Sequence, residues 1–177
     1  MVLLSTASKR VNALPADELR YIDRAIELAL VAENEGNLPI GALITLDGEI
    51  LSEGWNRMAS PRYEPGRHAE IEALKAVPTE MWPRASEMTC YSTLEPCVMC
   101  TGTLLLHGIG RVVFGATDTS GGGGHILTHL PEFFDGGAGV PEWLGPVAAE
   151  RCEPLFARAR AKFLTLPCGR QRQPRDE

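Results

Sequence analysis

The sequence lacks the features of membrane-spanning and secreted proteins. No stretch approaches the roughly 18 apolar residues that a membrane-spanning helix needs, so no membrane contact is expected. The apolar start, residues 1–4, is followed rather than preceded by Lys9 and Arg10. That order does not fit a secretory signal, and we therefore expect a cytoplasmic protein.

Cysteine and positive charge are also scarce. Five cysteines in 177 residues are too few for a disulfide scaffold, and their number is odd. Seventeen Lys and Arg stand against 23 Asp and Glu, which gives a net charge of −6. This balance argues against general binding to a phosphate backbone. One basic stretch, residues 158–175, keeps a local nucleic-acid contact open.

Hydrophobic periodicity divides the chain into alternating helices and strands. Helices are predicted at residues 16–35, 68–77, 97–107 and 148–164. Strands are predicted at residues 40–46, 49–55, 88–93 and 111–114, with Asp47-Gly48 as a hairpin turn. This alternation indicates an α/β sandwich around one sheet. We expect a single domain at residues 1–165 and a disordered tail at residues 166–177.

The region after the fourth strand has no clear periodicity. We interpret residues 119–124 as a flexible, glycine-rich hinge for a lid over the site, and we expect residues 131–146 to be irregular. His125 and His129 are four apart, as in metalloprotease helices, but Ile126 occupies the position of the protease glutamate. We interpret both histidines as ordinary lid residues.

Three residues in the middle of the chain are spaced to bind a metal. Cys97 and Cys100 are three apart and share one face of the first turn of a predicted helix. The helix dipole and the free amides there favour thiolates. His68 opens the preceding predicted helix, so the two helix starts can converge. One His and two Cys supply three zinc ligands and leave a fourth position open for water, as in catalytic sites.

Glu70, two residues after His68, is placed to handle protons. Zinc lowers the pKa of bound water from about 15.7 towards about 7, which provides a nucleophile for a carbon that bears an exocyclic amine. Glu70 can take the water proton and deliver it to the ring nitrogen and then to the amine. Such acid–base help is typically worth about 10²–10⁴-fold.

Two other interpretations of the cysteine pair stay open. A Cys-x-x-Cys sequence can be a redox pair or half of a structural zinc site. A redox pair requires a thioredoxin-like context, and a structural site requires a fourth protein ligand. A zinc-stabilised binding module without catalysis is therefore the alternative to an enzyme.

At these residues the chain resembles the cytidine deaminase-like superfamily, whose nucleobase deaminases share an H-x-E and P-C-x-x-C signature. It looks closest to the branch of tRNA adenosine deaminases, cytosine deaminases and guanine deaminases. The resemblance runs from about residue 25 to residue 114. It rests on four pieces of sequence: Leu38-Pro39-Ile40-Gly41-Ala42, Glu53-Gly54-Trp55-Asn56-Arg57, His68-Ala69-Glu70-Ile71 and Thr93-Leu94-Glu95-Pro96-Cys97-Val98-Met99-Cys100.

The resemblance implies a fold and a set of site residues. The fold would be a three-layer α-β-α sandwich around a central mixed five-stranded sheet. Zn²⁺ would be held by His68, Cys97 and Cys100, with Glu70 as the catalytic proton carrier. Asn56 would hold the base, and the backbone at Ala69 and Glu95 would contact the ring and its amine. Such proteins are usually dimers, so a homodimer is implied.

The predicted function is a zinc-dependent hydrolytic deaminase that removes the exocyclic amine of a nucleobase or nucleoside and releases ammonia. The chain departs from the tRNA enzymes after Phe114, where they have an Ala-Gly-Ser-like loop and an Asn-His pair. That departure and the acidic charge favour a small-molecule substrate. The alternative is a tRNA-specific adenosine deaminase that converts wobble adenosine to inosine.

Overall fold

The fold is built on one mixed sheet of five strands, in a computed structural model that describes residues 14–134 and 139–170. The strand order is β2-β1-β3-β4-β5. β1 pairs antiparallel with β2 and β3, whereas β4 is parallel to both β3 and β5. The strands are β1 (Gly41–Leu46), β2 (Glu49–Trp55), β3 (Thr89–Leu94), β4 (Arg111–Ala116) and β5 (Glu142–Leu144).

Helices cover both faces of the sheet. The α-helices are α1 (Leu19–Asn34), α2 (Ala69–Lys75), α3 (Val98–Leu106), α4 (Ala149–Phe163) and α5 (Pro167–Arg170). Short 3₁₀ helices cover Thr79–Glu87, Gly124–Thr128 and Glu132–Phe134. No helix in the described part of the chain is long and apolar enough to cross a membrane.

Alternating side chains of the central strands build two hydrophobic cores. On β1, Ala42 and Ile44 face a core that includes residues of α2 and α3, while Leu43 faces the core on α1 and α4. On β3, Cys90 and Tyr91 divide between the same two cores. Because successive strand residues point to opposite faces, β1 and β3 are buried on both sides. The predicted three-layer α/β sandwich with a mixed five-stranded sheet is confirmed.

The β1–β2 connection is the predicted hairpin. Leu46 pairs with Glu49 across a two-residue turn, with φ of 54° at Asp47 and 78° at Gly48. A type I′ turn requires positive φ at both central positions, which Asp-Gly adopts readily.

The prediction was wrong at two places near the C-terminus. Residues 142–144 form β5, although residues 131–146 were expected to be irregular; Trp143 packs on Phe114 with ring centroids 5.8 Å apart. A strand of three residues is too short to display a periodic pattern. The tail boundary also lies further along the chain than expected, because Leu166 is buried and α5 follows it. Residues 171–177 of the predicted tail lie outside the described residues.

Candidate active site

The three predicted metal ligands lie at the starts of α2 and α3. His68 is the residue immediately before α2, and Cys97 is the residue immediately before α3. Both have extended backbone, with ψ of 157° and 171°. Cys100 lies one turn into α3 and is buried. β3 delivers the chain to Cys97, and α2 and α3 pack on the same face of the sheet.

The ligand atoms form a compact triangle. His68 Nδ1 lies 3.6 Å from Cys97 Sγ and 3.5 Å from Cys100 Sγ, and the two sulfurs are 3.7 Å apart. Tetrahedral zinc with Zn–S near 2.3 Å and Zn–N near 2.0–2.1 Å requires edges of about 3.8 Å between sulfurs and about 3.6 Å between sulfur and nitrogen. The residues therefore fit zinc in both donor type and spacing.

The two thiols differ in their proton affinity without a metal. A hydrogen bond from Cys100 is the largest influence on Cys97 and, together with His68, lowers the pKa of the Cys97 thiol to about 4. The same contact, followed by burial, raises the pKa of Cys100 well above its usual range. Since a dication favours the deprotonated form of every ligand, zinc would hold both residues as thiolates.

Glu70 lies buried beside this triangle. Its Oε2 is 3.4 Å from Cys100 Sγ, and its Oε1 accepts a 3.0 Å hydrogen bond from the Ser92 hydroxyl. Burial raises the pKa of the Glu70 carboxyl, and the Cys97 thiolate raises it further, against smaller opposing contributions that include His68 and Ser92. Burial therefore favours the protonated form of this carboxyl.

Ser92 is a site residue that the sequence reasoning missed. It is fully buried within β3, where its neighbours on both sides are also buried. A buried hydroxyl requires a hydrogen-bond partner, and Glu70 is that partner. A lone serine inside the apolar strand was the available signal.

Asn56 and Ala69 are both fully buried near the α2 start. Gly54, two residues before Asn56, packs directly against the Ala69 carbonyl. Asn56 Oδ1 accepts a hydrogen bond from the Met58 amide at 3.1 Å. Within the described residues, Asn56 Nδ2 is buried without a hydrogen-bond partner. An orphaned buried donor is costly, and Asn37 Nδ2, Arg111 Nε and Trp143 Nε1 are in the same condition within the described residues.

The Glu95 side chain and amide are both engaged in hydrogen bonds. Its carboxylate accepts backbone hydrogen bonds from Asp118 and Gly124, each at 3.3 Å, and its own amide donates to the Ala116 carbonyl at 2.8 Å. We call residues 118–124 the glycine segment. Only the carbonyl of Glu95 is left for the contact with substrate that the resemblance implies.

Backbone hydrogen bonds and a side-chain turn order the glycine segment, which the sequence analysis interprets as a hinge. Gly123 donates to the Pro96 carbonyl at 2.8 Å, and Gly122 forms an isolated antiparallel bridge with Cys97. Asp118 Oδ1 accepts from the amides of Ser120 and Gly121, each at 2.9 Å. The glycines here allow close backbone contact.

The remaining candidates lie outside the site or are engaged with acidic groups. His125 and His129 are exposed, and within the described residues neither joins a group of possible metal ligands. In the basic stretch, Arg158 pairs with Glu33 at 2.6 Å. Much of that stretch, from residue 171 onward, lies outside the described residues.

Comparison with known proteins places the fold and this site in one family. Residues 15–116 match the model of the cytidine and deoxycytidylate deaminase zinc-binding region, and the chain belongs to that family. Its members named below are deaminases, hydrolases that act on carbon–nitrogen bonds. The matched region ends with β4, so the glycine segment and β5 lie beyond it.

Curated relatives divide between two substrates. A tRNA-specific adenosine deaminase of Bacillus subtilis (strain 168) is 42% identical over 118 residues, covering 64% of this chain and 70% of the relative. A cytosine deaminase of Candida albicans is 34% identical over 100 residues, covering 56% of this chain and 66% of the relative.

Solved structures support the same fold. A chain from a study of tRNA:A34 deaminases superposes with a TM-score of 0.62 at 24% identity, covering 77% of this chain and 99% of its own length. The guanine deaminase of Nitrosomonas europaea gives 0.62 at 21% identity, covering 85% of this chain and 87% of its own. At these identities the likeness concerns the fold alone.

Proposed function

We propose that this protein hydrolyses the exocyclic amine of a nucleobase or nucleoside and releases ammonia. The observation that supports this most strongly is a zinc-matched triangle of His68, Cys97 and Cys100 with the buried Glu70 carboxyl against it. Among residues 14–134 and 139–170, three side chains rather than four converge on this point, which is the arrangement of catalytic zinc sites.

Different residues of the chain would bind the metal, transfer protons and position the proton carrier. His68, Cys97 and Cys100 would hold the zinc, which when bound supplies a Lewis acid that makes water nucleophilic near neutral pH. Glu70 takes one proton from the attacking water and passes it to the ring nitrogen. It then takes the second proton, from the hydroxyl now on the ring carbon, and passes it to the amine, which leaves as ammonia while the carbonyl forms. Ser92 holds the Glu70 carboxylate in place through Oε1. Water and an aminated base enter, and ammonia and the oxo-base leave.

Three further residues are proposed to bind the base. Asn56 offers Nδ2, whose partner among the described residues is lacking. Ala69 is the first residue of α2, and the first amides of a helix have no partner within the helix. Glu95 would contribute its carbonyl, since its carboxylate and amide are already bonded.

A second candidate substrate is the wobble adenosine of tRNA. It is favoured by the 42% identity to the Bacillus subtilis tRNA-specific adenosine deaminase. The net charge of −6 and the ion pair of Arg158 with Glu33 weigh against a strongly basic RNA surface.

An ammonia-release screen tests both candidates. The zinc-loaded protein is incubated with cytosine, guanine, adenine, their nucleosides, and transfer RNA in separate reactions. Release from a free base or nucleoside without RNA supports the first candidate. Inosine formation only in tRNA, with binding that weakens steeply as salt rises, supports the second. No turnover on any of these substrates by protein that contains zinc would contradict the proposed function.

We also propose that the protein is a cytoplasmic homodimer. The solvent side of α3 exposes Val98 by 50%, Met99 by 42% and Leu106 by 63%. Apolar side chains grouped on one helix face commonly mark a protein interface. Light scattering should give twice the monomer mass for the wild type, and Leu106→Glu should shift the mass toward the monomer. A monomeric wild type at micromolar concentration would contradict this assembly.

A further inference from the structure

The carboxylate of Glu95 ties together the two ends of the glycine segment. Its Oε2 accepts from the Asp118 amide and its Oε1 from the Gly124 amide. Both distances are 3.3 Å, and the residue is only partly exposed. One side chain therefore bridges both ends of the turn that follows β4.

The glycine segment in turn lies against the backbone of a metal ligand. The Gly123 amide donates to Pro96, and Gly122 bridges to Cys97. A Cβ added at Gly123 would lie 2.9 Å from the carbonyl carbon and oxygen of Cys97 and would overlap Thr101 Oγ1. The segment thus contacts the first turn of α3 at the point where its first ligand is placed.

The neighbouring glycines leave no space around the carboxylate. A Cβ at Gly122 would lie 2.5 Å from Glu95 Oε2, and one at Gly124 would lie 2.9 Å from Oε1 and 2.7 Å from Trp143 Nε1. Real Cβ atoms do not approach other atoms this closely, so a side chain at either position would displace the Glu95 carboxylate. The close fit depends on Glu95 and on the glycines together.

We propose that Glu95 is a positioning residue of the metal centre. Its carboxylate fastens the glycine segment to the start of α3, and the fastened segment holds Cys97 in the ligand triangle. The proposal rests on the proposed function insofar as the triangle is taken to bind zinc. Groups that orient metal ligands through hydrogen bonds typically affect metal affinity by 10–100-fold.

The first test compares Glu95→Gln with Glu153→Gln in the full chain. Glutamine keeps the shape of glutamate but replaces one acceptor oxygen with an NH₂ group, which would oppose a backbone amide. Glu153 is exposed on α4 and serves as the matched control. Zinc affinity is measured by competition with a chelator. We expect affinity about 10–100-fold weaker in Glu95→Gln and unchanged in the control.

The second test approaches the same contact from the other side. Gly123→Ala should push the segment away from Cys97 and weaken zinc binding by a similar factor. Gly66→Ala is the control, since a Cβ there meets no atom within 4 Å. If both variants act through one contact, the double variant Glu95→Gln with Gly123→Ala should be no weaker than the weaker single variant.

Spectroscopy separates positioning from a purely structural role. In the cobalt(II)-substituted protein, the thiolate-to-cobalt absorption should change in Glu95→Gln because Cys97 shifts. Affinity and spectrum equal to those of Glu153→Gln would overturn the proposal. If Glu95→Gln fails to fold, Glu95→Asp replaces it: Asp retains the charge but is too short to reach both amides, and unchanged affinity there would equally overturn it. Zinc affinity is measured without substrate, so the absence of deamination would count against the proposed function alone.

Discussion

Two neighbouring regions of the molecule differ in what specifies their structure. They are the sheet region, residues 40–116, and the post-sheet region, residues 117–146. In the sheet region, the central strands are buried on both sides, α2 and α3 each bury one face, and all three ligand residues lie at helix starts. The post-sheet region is built from backbone contacts of glycines, short 3₁₀ helices and a three-residue strand. Side-chain patterns specify the first region, whereas close backbone packing specifies the second.

The largest predicted effect concerns the ligand triangle in the sheet region. Cys97→Ala removes one of the three ligands, and we expect loss of bound zinc together with loss of measurable ammonia release. Zinc per chain is measured by mass spectrometry. Cys168→Ala lies outside the triangle and is the control, expected to retain one zinc per chain. One zinc per chain in Cys97→Ala would contradict the assignment of Cys97 as a zinc ligand.

Replacing the proton carrier should separate metal binding from catalysis. Glu70→Gln preserves the shape of the side chain and its bond with Ser92 but cannot carry the proton. We expect full zinc content and a kcat lower by about 10²–10⁴-fold. Turnover near the wild-type rate would remove Glu70 from the proton-transfer steps.

Asn56→Asp tests the orphaned amide of the sheet region. Aspartate keeps an acceptor for the Met58 amide but loses the Nδ2 donor. We expect KM to rise by about tenfold, which corresponds to about 1.4 kcal/mol. Asn37→Asp is a closely matched control, since Asn37 Oδ1 also accepts backbone amides, from Ala59 and Ser60. An equal rise in both variants would remove Asn56 from the substrate site.

The smallest effect is predicted for an exposed residue of the post-sheet region. Phe133 is 75% exposed, so Phe133→Ala should change the free energy of unfolding by about 0.5 kcal/mol or less. Leu104 of α3 is fully buried, and Leu104→Ala should cost about 2–5 kcal/mol. Denaturant unfolding measures both. A large loss for Phe133→Ala would mean that a surface described as exposed is covered in solution.

The sequence predicted the sheet region well because several independent signals coincide there. Asp47-Gly48 favours a tight turn, the β1 run is mostly apolar, and Pro96 precedes a cysteine pair at helical spacing. The ligand triangle follows once two helix starts lie on one face of the sheet. Ser92 and the unpartnered Asn56 amide needed three-dimensional contacts, since hydroxyl and amide groups are also common in turns.

The structure of the post-sheet region was harder to predict, because glycine in a sequence is compatible with two opposite structural roles. Glycine permits motion, and it also permits backbone approach that any Cβ would prevent. The close approach of Gly122, Gly123 and Gly124 to Glu95 and Cys97 is seen only in the structure. A tryptophan at position 143 is equally compatible with a loop and with a strand. The pairing of Trp143 with Val112 on β4 shows that it belongs to a strand.

Zinc X-ray absorption on the purified wild-type protein tests the central claim most directly. The account predicts one zinc per chain with two sulfur ligands near 2.3 Å, one imidazole nitrogen, and one oxygen from solvent. A spectrum that requires a fourth protein ligand, or a protein that purifies without zinc and does not bind it when supplied, would contradict the account.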